Sequence, residues 1–377
     1  MRIFVASGIF HPESGGPATY LYRLLPEIVA RGHDVRVLTF GDAPTASYPY
    51  PVWRIPRRAL PLRTVDYARA ALPEIRRADV VFLNSLGLPL IGRHNKPSVL
   101  KVVGDLSWER AVRKGWIPPG EDIDRFQTGS YDLRVRLNRA AQSREVQRMD
   151  RIIVPSRYLY NMVTGWGASP DRVRLIYNAL EPDAAASTLN LAEARAALNL
   201  DEGPLLLAVA RLVAWKGIDH LIRALAQIPD VRLIVAGDGP EETRLRALAE
   251  SEKVAHRVTF LGRVPRDRLA IYVRAADYTV LYSGYEGLSH MLLESLLAGT
   301  PVIASDKGGN PEVVRHGENG LLVPYINLEA LIETLRIAFS GDTRARLAAH
   351  TAEGLERFKW ETLVDSTLAL LEDVCGS

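Results

Sequence analysis

The chain has one cysteine in 377 residues, Cys375, two positions from its end. That excludes an intramolecular disulfide and a cysteine metal cage, and it agrees with a reducing compartment. No stretch approaches the roughly 18 uninterrupted apolar residues that a membrane span needs. The opening, MRIFVASGIF, enters a strand-like run directly instead of reading as a signal peptide, so a cytoplasmic location is expected. The eight histidines show neither HExxH nor a paired spacing, which argues against zinc.

What is present is the balance of a folded protein, 47% hydrophobic and 24% charged residues. The length is large for one core and natural for two domains. The net charge of +3 conceals an asymmetry: residues 1–180 hold 27 Lys and Arg against 16 Asp and Glu, and residues 181–377 hold 20 against 28. A basic first half suits an anionic partner such as a membrane surface, a lipid phosphate or nucleic acid. Arginine-rich solvated helices are the equally good alternative in a chain with few lysines.

Apolar periodicity predicts two successive α/β stretches. In the first, MRIFVAS, DVRVLTF, DVVFLNS (79–85), SVLKVVGD (98–105) and RIIVPS (151–156) read as buried strands with helical runs between them. The Pro-rich PYPVWRIPRRALP (49–61) reads as irregular loop. From 180 to 204 the strand pattern gives way to an Ala- and Leu-rich helical stretch, where the domain junction is expected. The alternation then resumes through PLLLAVAR, VRLIVAGDG, RVTFLG, YTVLYS, PVIASD and GLLVP. WETLVDSTLALLED (360–373) reads as an amphipathic helix with no strand after it. The expected architecture is α/β, two doubly wound parallel sheets, with domains at 1–185 and 186–359 and the helix of 360–377 packed back on the first. Ligands of such sheets sit beyond the carboxyl ends of the strands, here in a cleft between the domains.

The loops after strands carry the candidate chemistry. GYEGLSHMLLE places Glu286 and Gly287 before a helix that Ser289 is suited to cap, with Met291, Leu292, Leu293, Leu296 and Leu297 as its buried face and Glu294 two turns from Glu286. Free amides and the positive dipole end of that helix suit a ligand carrying phosphate and hydroxyls. AVARLVAWKG offers Arg211 and Lys216 at a strand-to-helix turn, cations fit for a diphosphate. VAGDGPE has Gly237 and Gly239 at a strand end, FLGRV has Gly262 where a flat ring could approach the backbone, and SDKGGNPEVV has Gly308 and Gly309.

In this order, these segments with SLLAGTPVIASDKGGNPEVV and GENGLLVP resemble the retaining glycosyltransferases of family four, which have the two-domain GT-B fold. SGIFHPESGGPATYLYRL, PSRYL and LIYNAL are similar to that family's first-domain segments. The resemblance implies that Glu286 contacts the donor sugar's hydroxyls, that the amides at Gly287, Leu288 and Ser289 lie against sugar and phosphate, and that Glu294 holds the ribose. It implies that Arg211 and Lys216 neutralise the departing diphosphate and that Gly15 and Gly16 close over the donor phosphates. It further implies a UDP- or GDP-sugar donor, a glycan or lipid-linked acceptor, retention of configuration, no cofactor or obligatory metal, no nucleic acid partner, and a role in cell-envelope or exopolysaccharide synthesis.

Where many members have a His near the donor sugar, this chain reads LKVVGDLSWER. Asp105 is the nearest candidate, either orienting sugar or accepting the acceptor's proton, or else capping LSWERAVRK; Glu109 is a weaker one. His11 precedes the Gly-rich loop. EDID (121–124) has the spacing of a metal-binding DxD but reads better as a solvated acidic loop. Trp53, Arg54, Arg57 and Arg58 with Leu60 and Leu62, and separately WERAVRKGWIPP (108–119), mix apolar and cationic residues as a peripheral membrane contact would, or as an acceptor-cleft wall would. The rival functions are a nucleotide-sugar epimerase of similar architecture and a noncatalytic nucleotide-sugar-binding module. A dehydrogenase is disfavoured because no GxGxxG opens either sheet.

Overall fold

The computed structural model describes every residue except 14, 43–46, 91–94, 119, 181–186 and 377. Contacts divide the chain into a first unit of Met1–Trp116, Ser130–Tyr177 and Trp360–Ser377, and a second of Ile117–Gly129 and Asn178–Lys359. The expected boundary between 185 and 186 lies outside the described residues.

In the first unit, short runs of β-branched and apolar residues form β1 (Arg2–Ser7), β2 (Asp34–Phe40), β3 (Val52–Ile55), β4 (Val80–Leu83), β5 (Ser98–Lys101), β6 (Arg151–Val154) and β7 (Val173–Leu175). They pair in parallel in the order β3-β2-β1-β4-β5-β6-β7. Both faces are covered, so β4 is buried at every position and β1 at every one after Arg2. The crossover helices are α1 (Gly16–Ala30), α2 (Leu60–Arg77) and α3 (Leu106–Arg113); after α4 (Ile123–Thr128), which belongs to the second unit, come α5 (Leu133–Gln147) and α6 (Arg157–Gly165).

Two expectations need correcting. Residues 49–61 are not irregular throughout: Val52–Ile55 form the edge strand β3, tolerated between Pro51 and Pro56 because an edge needs only one ladder. Helix α2 begins at Leu60 with Pro61 in its first turn, where a missing N–H costs nothing. In the 108–119 stretch, Trp108 and Ile117 are 2% and 4% exposed, so these are core side chains and not a surface mixture of apolar and cationic groups.

The second unit repeats the plan. Its strands β8 (Leu205–Val209), β9 (Arg232–Ala236), β10 (Val258–Gly262), β11 (Tyr278–Leu281), β12 (Val302–Ser305) and β13 (Gly320–Val323) pair in parallel in the order β10-β9-β8-β11-β12-β13. The helices are α7 (Leu191–Ala197), α8 (Ile218–Leu225), α9 (Glu242–Ser251), α10 (Arg266–Ala275), α11 (His290–Leu297), α12 (Leu328–Ala338) and α13 (Thr343–Ala349). Alternation sorts the strand residues between two cores: Leu206, Ala208, Leu233 and Val235 pack with α8 and α12, while Leu205, Leu207, Ile234 and Ala236 pack with Tyr272 and Val273 of α10. Helix α14 (Trp360–Gly376) belongs to the first unit, against α1, with Asp365 3.0 Å from Arg31 and Asp373 3.3 Å from Arg151.

The buried side chains of the first unit include a lysine. Lys101 at the end of β5 is 1% exposed, with Nζ 3.5 Å from the centre of the Tyr20 ring and no hydrogen-bond partner among the described residues. Burial pulls its ammonium down to about 7 from 10.5. The folded state therefore favours the neutral amine, and stability is lost as pH falls through the interval from 10.5 to about 7. Lys101→Met, of similar volume and without charge, should raise stability at neutral pH by roughly 1–3 kcal/mol. Urea unfolding followed from neutral pH upward should show that advantage shrinking; a less stable variant at every pH would contradict this account.

Candidate functional site

In the second unit the chain runs from β8 outward to β9 and β10, then returns to β11 on the other side of β8. The loops leaving β8 and β11 therefore diverge, and a crevice opens where the strand order reverses. The loop after β8 carries Arg211 and Lys216, and the loop after β11 carries Glu286. Lys216 Nζ donates to Glu286 Oε1, with side chains only 17% and 15% exposed. Arg211 is exposed and makes no side-chain hydrogen bond or ion pair among the described residues.

Backbone contacts knit these loops. Gly284 N donates to Trp215 O at 2.7 Å, Leu212 N to Asp238 O at 2.8 Å, and Gly237 N to Gly262 O at 2.7 Å. Gly309 N donates to Glu286 O at 2.9 Å, and the buried Asn178 donates its Nδ2 to Leu288 O at 3.1 Å. Ser289 caps α11 as its sequence position suggested, Oγ accepting from Leu292 N at 3.4 Å. The peptides of Gly287, Leu288 and Ser289 thus lead into a helix start beside the Lys216–Glu286 pair, where an anion is favoured. Leu292, Leu293 and Leu296 are buried as expected, but Leu297 is 41% exposed because it lies past the edge of the apolar stripe.

Glu294, one turn into α11, accepts from Arg266 Nη2 at 2.9 Å, and Arg263 lies 2.8 Å from Asp238. Between these pairs Gly262 has φ +65° and open space where a Cβ would point. The structure thus gathers Lys216, Glu286, residues 287–289 and the 308–309 turn, with Gly237, Gly262 and Glu294 on neighbouring loops and helix of the same sheet end.

The remaining candidates belong to the first unit. Gly15 precedes α1 with φ +153°, and nothing lies within 4 Å of a Cβ at Gly16. Asp105 is 1% exposed and caps α3: its Oδ1 accepts from Trp108 N and from Gln142 Nε2, each at 3.0 Å. Glu109 lies in the first turn of α3. His11 stacks on Tyr22 with ring centres 4.0 Å apart and has Nδ1 3.1 Å from Tyr48 Oη; burial, then Arg54, pulls its imidazolium down. The EDID segment is not a solvated loop. Asp122 caps α4, and Asp122 and Asp124 lie 3.3 and 3.0 Å from Lys307 Nζ.

Sequence reasoning missed Asn178, Arg266 and Lys307 as site neighbours. Asn178 falls in LIYNAL and Lys307 in SDKGGNPEVV, yet neither they nor Arg266 carry a spacing that announces their partners.

Gly308 and Gly262 separate two kinds of constraint. At Gly308 φ is +62° and a Cβ would run into Glu286 O, which is backbone and cannot swing aside. Gly308→Ala should cost several kcal/mol, on the order of 3 or more. Gly262→Ala meets only the left-handed penalty, about 1–2 kcal/mol. Thermal denaturation of both variants checks the order; equal losses would refute it.

Residues 14–184 match the model of Glycosyltransferase Family 4, and residues 192–353 match that of Glycosyl transferases group 1. The chain is 28% identical to the GDP-mannose-dependent alpha-(1-6)-phosphatidylinositol monomannoside mannosyltransferase of Mycobacterium tuberculosis over 96% of each chain. It is 34% identical to a D-inositol 3-phosphate glycosyltransferase of Acidothermus cellulolyticus over 56% of this chain, and it spans about half, 50%, of the length of that relative. Its fold is that of a sucrose-phosphate synthase from Thermosynechococcus elongatus, with a TM-score of 0.82, 24% identity and coverage of 99% of this chain and 98% of that one. The first half carrying one model and the second half the other, on two parallel sheets, the chain belongs to the family-four glycosyltransferases of GT-B fold.

Proposed function

We propose that this protein is a retaining, metal-independent glycosyltransferase that moves a hexosyl unit from a UDP- or GDP-sugar to a hydroxyl of a glycan or lipid-linked acceptor. The observation that carries the reading is the Lys216–Glu286 pair at the strand-order reversal, beside the start of α11, with an exposed Arg211 on the same loop as Lys216. A buried ion pair adds little stability, so its retention suits a task. Lys216 and Arg211 would meet the charge that builds on the diphosphate as the bond from the anomeric carbon to phosphate breaks. The acceptor oxygen bonds that carbon on the same face, and its proton passes to the leaving diphosphate. Glu286 orients the sugar hydroxyls, Glu294 the ribose, and Gly262 leaves room for the base. The first unit is assigned the acceptor. Asp105 enters this reading through α3, whose start it holds.

The mannosyltransferase relative is named for GDP-mannose and for a phosphatidylinositol mannoside, which supports a nucleotide-sugar donor and keeps a lipid-linked acceptor in view. A cell-envelope or exopolysaccharide role follows from such an acceptor. No helix among the described residues is long and apolar enough to cross a membrane. Peripheral attachment is favoured by α2, whose exposed side chains Leu62, Val65, Arg69, Leu72 and Arg76 fall at alternating three- and four-residue steps. Before it, Arg54 of β3 donates to His11 O, Arg57 is paired with Glu13, and Arg58 lies 3.9 Å from Asp66 of α2 itself.

Calorimetric titration with UDP, GDP and ADP in the presence of a chelator should show binding of one nucleotide. Glu294→Ala should weaken it about tenfold or more, the worth of a lost charged hydrogen bond. Transfer to an added acceptor, set against epimerised sugar without one, separates the transferase from the epimerase, and absence of both leaves a binding module. The full chain should sediment with phosphatidylglycerol vesicles and not with phosphatidylcholine vesicles. Leu62→Ser with Leu72→Ser should reduce that binding about tenfold; an unchanged partition would remove α2 as the contact.

A further inference from the structure

Residues 117–129 are an excursion from the first unit that belongs, by its contacts, to the second. Ile117, Ile123 and Phe126 are 4%, 1% and 0% exposed, so the segment is seated by its apolar side chains. Two of its acids converge on one cation. Asp122 Oδ1 caps α4 through Asp124 N at 2.9 Å and Arg125 N at 3.0 Å, while Asp122 Oδ2 lies 3.3 Å and Asp124 Oδ2 3.0 Å from Lys307 Nζ. Burial works against the Lys307 ammonium, yet the two carboxylates raise it on balance.

Lys307 occupies a sensitive place. The next two residues, Gly308 and Gly309, pack with no room for a Cβ against the carbonyls of Glu286 and Gly287, and Gly309 N donates to Glu286 O at 2.9 Å. On the other side of Lys307, Asp306 Oδ1 accepts from Tyr325 N at 3.1 Å. The 306–309 backbone is thus a backing plate for the 286–288 peptides, and a side chain in its middle is tied to another segment.

We propose that Lys307, held by Asp122 and Asp124, is a positioning residue: this ionic latch seats the 306–309 backbone and through it sets the peptides of 286–288. The consequence for catalysis rests on the donor-site reading above. Because the latch acts on peptides assigned to sugar and diphosphate, and not on the Gly262 and Glu294 region, it affects a nucleotide-sugar more than a nucleoside.

The test uses the full chain with Lys307→Met, with Asp122→Asn plus Asp124→Asn, in which Asn keeps the cap, and with the reversed pair Lys307→Asp plus Asp124→Lys. Hydrogen exchange of peptides covering 284–290, without ligand, should be about fivefold faster in the first two variants and slower again in the reversed pair. The thermal midpoint should hold within a few degrees. Where wild type binds UDP-glucose or GDP-mannose, the first two variants should bind it about fivefold more weakly while binding of adenosine, uridine or guanosine stays unchanged. Unchanged exchange in both variants overturns the latch. So does faster exchange spread over the whole second unit with a lowered midpoint, and so does unaltered nucleotide-sugar affinity. Wild type that binds neither nucleotide-sugar defeats the donor reading, and the exchange result still decides the latch.

Discussion

The proposed site is built around one contact: an ammonium and a carboxylate brought together from loops 70 residues apart, Lys216 and Glu286. Each is mostly shielded from water, and the desolvation of two charges nearly cancels their attraction. Such a pair is poor at holding a fold, and it stands in the crevice where a doubly wound sheet leaves its strand ends uncovered, where the ligand is proposed. In the proposed function the negative charge and the hydroxyls of one ligand meet the cation and the acid.

The contact is possible because the surrounding loops meet backbone to backbone. Gly308 and Gly309 press on the carbonyls of residues 286 and 287, and Gly284 bonds to the carbonyl of Trp215. Side chains would hold those segments apart by the thickness of a methyl group or more. The polar groups of the crevice are therefore presented on a rigid surface, with Asn178 bracing Leu288 from the side, so little reorganisation accompanies the arrival of charge.

The first unit has a different character. It carries a glycine pair at the start of α1, an aromatic group of His11, Tyr22 and Tyr48, and a buried aspartate that caps α3. Its surface is arginine-rich, and α2 exposes an apolar stripe interrupted by cations. Charge thus separates the two halves of the chain, basic where a lipid-linked or glycan acceptor is proposed and acidic overall where the nucleotide-sugar is.

The alternation of apolar runs and helical periods was enough to predict two parallel sheets, because strands buried on both faces must be uniformly apolar. The residue types at the ends of those strands, Arg211, Lys216, Glu286 and the glycines, were legible for the same local reason, since turns and anion contacts select composition. Strand β3 was not, because the prolines on either side of it read as loop, and neither was β7, whose three residues are too few to show a period. Nor was the seating of 117–129, whose three buried side chains are spread over ten positions. The sequence by itself determined which loops bear the cations, acids and glycines. Only the tertiary structure decided which side chains answer one another, Lys216 with Glu286, Arg266 with Glu294, Lys307 with Asp122 and Asp124, because a charge pairs by distance in space and leaves no periodic mark along the chain.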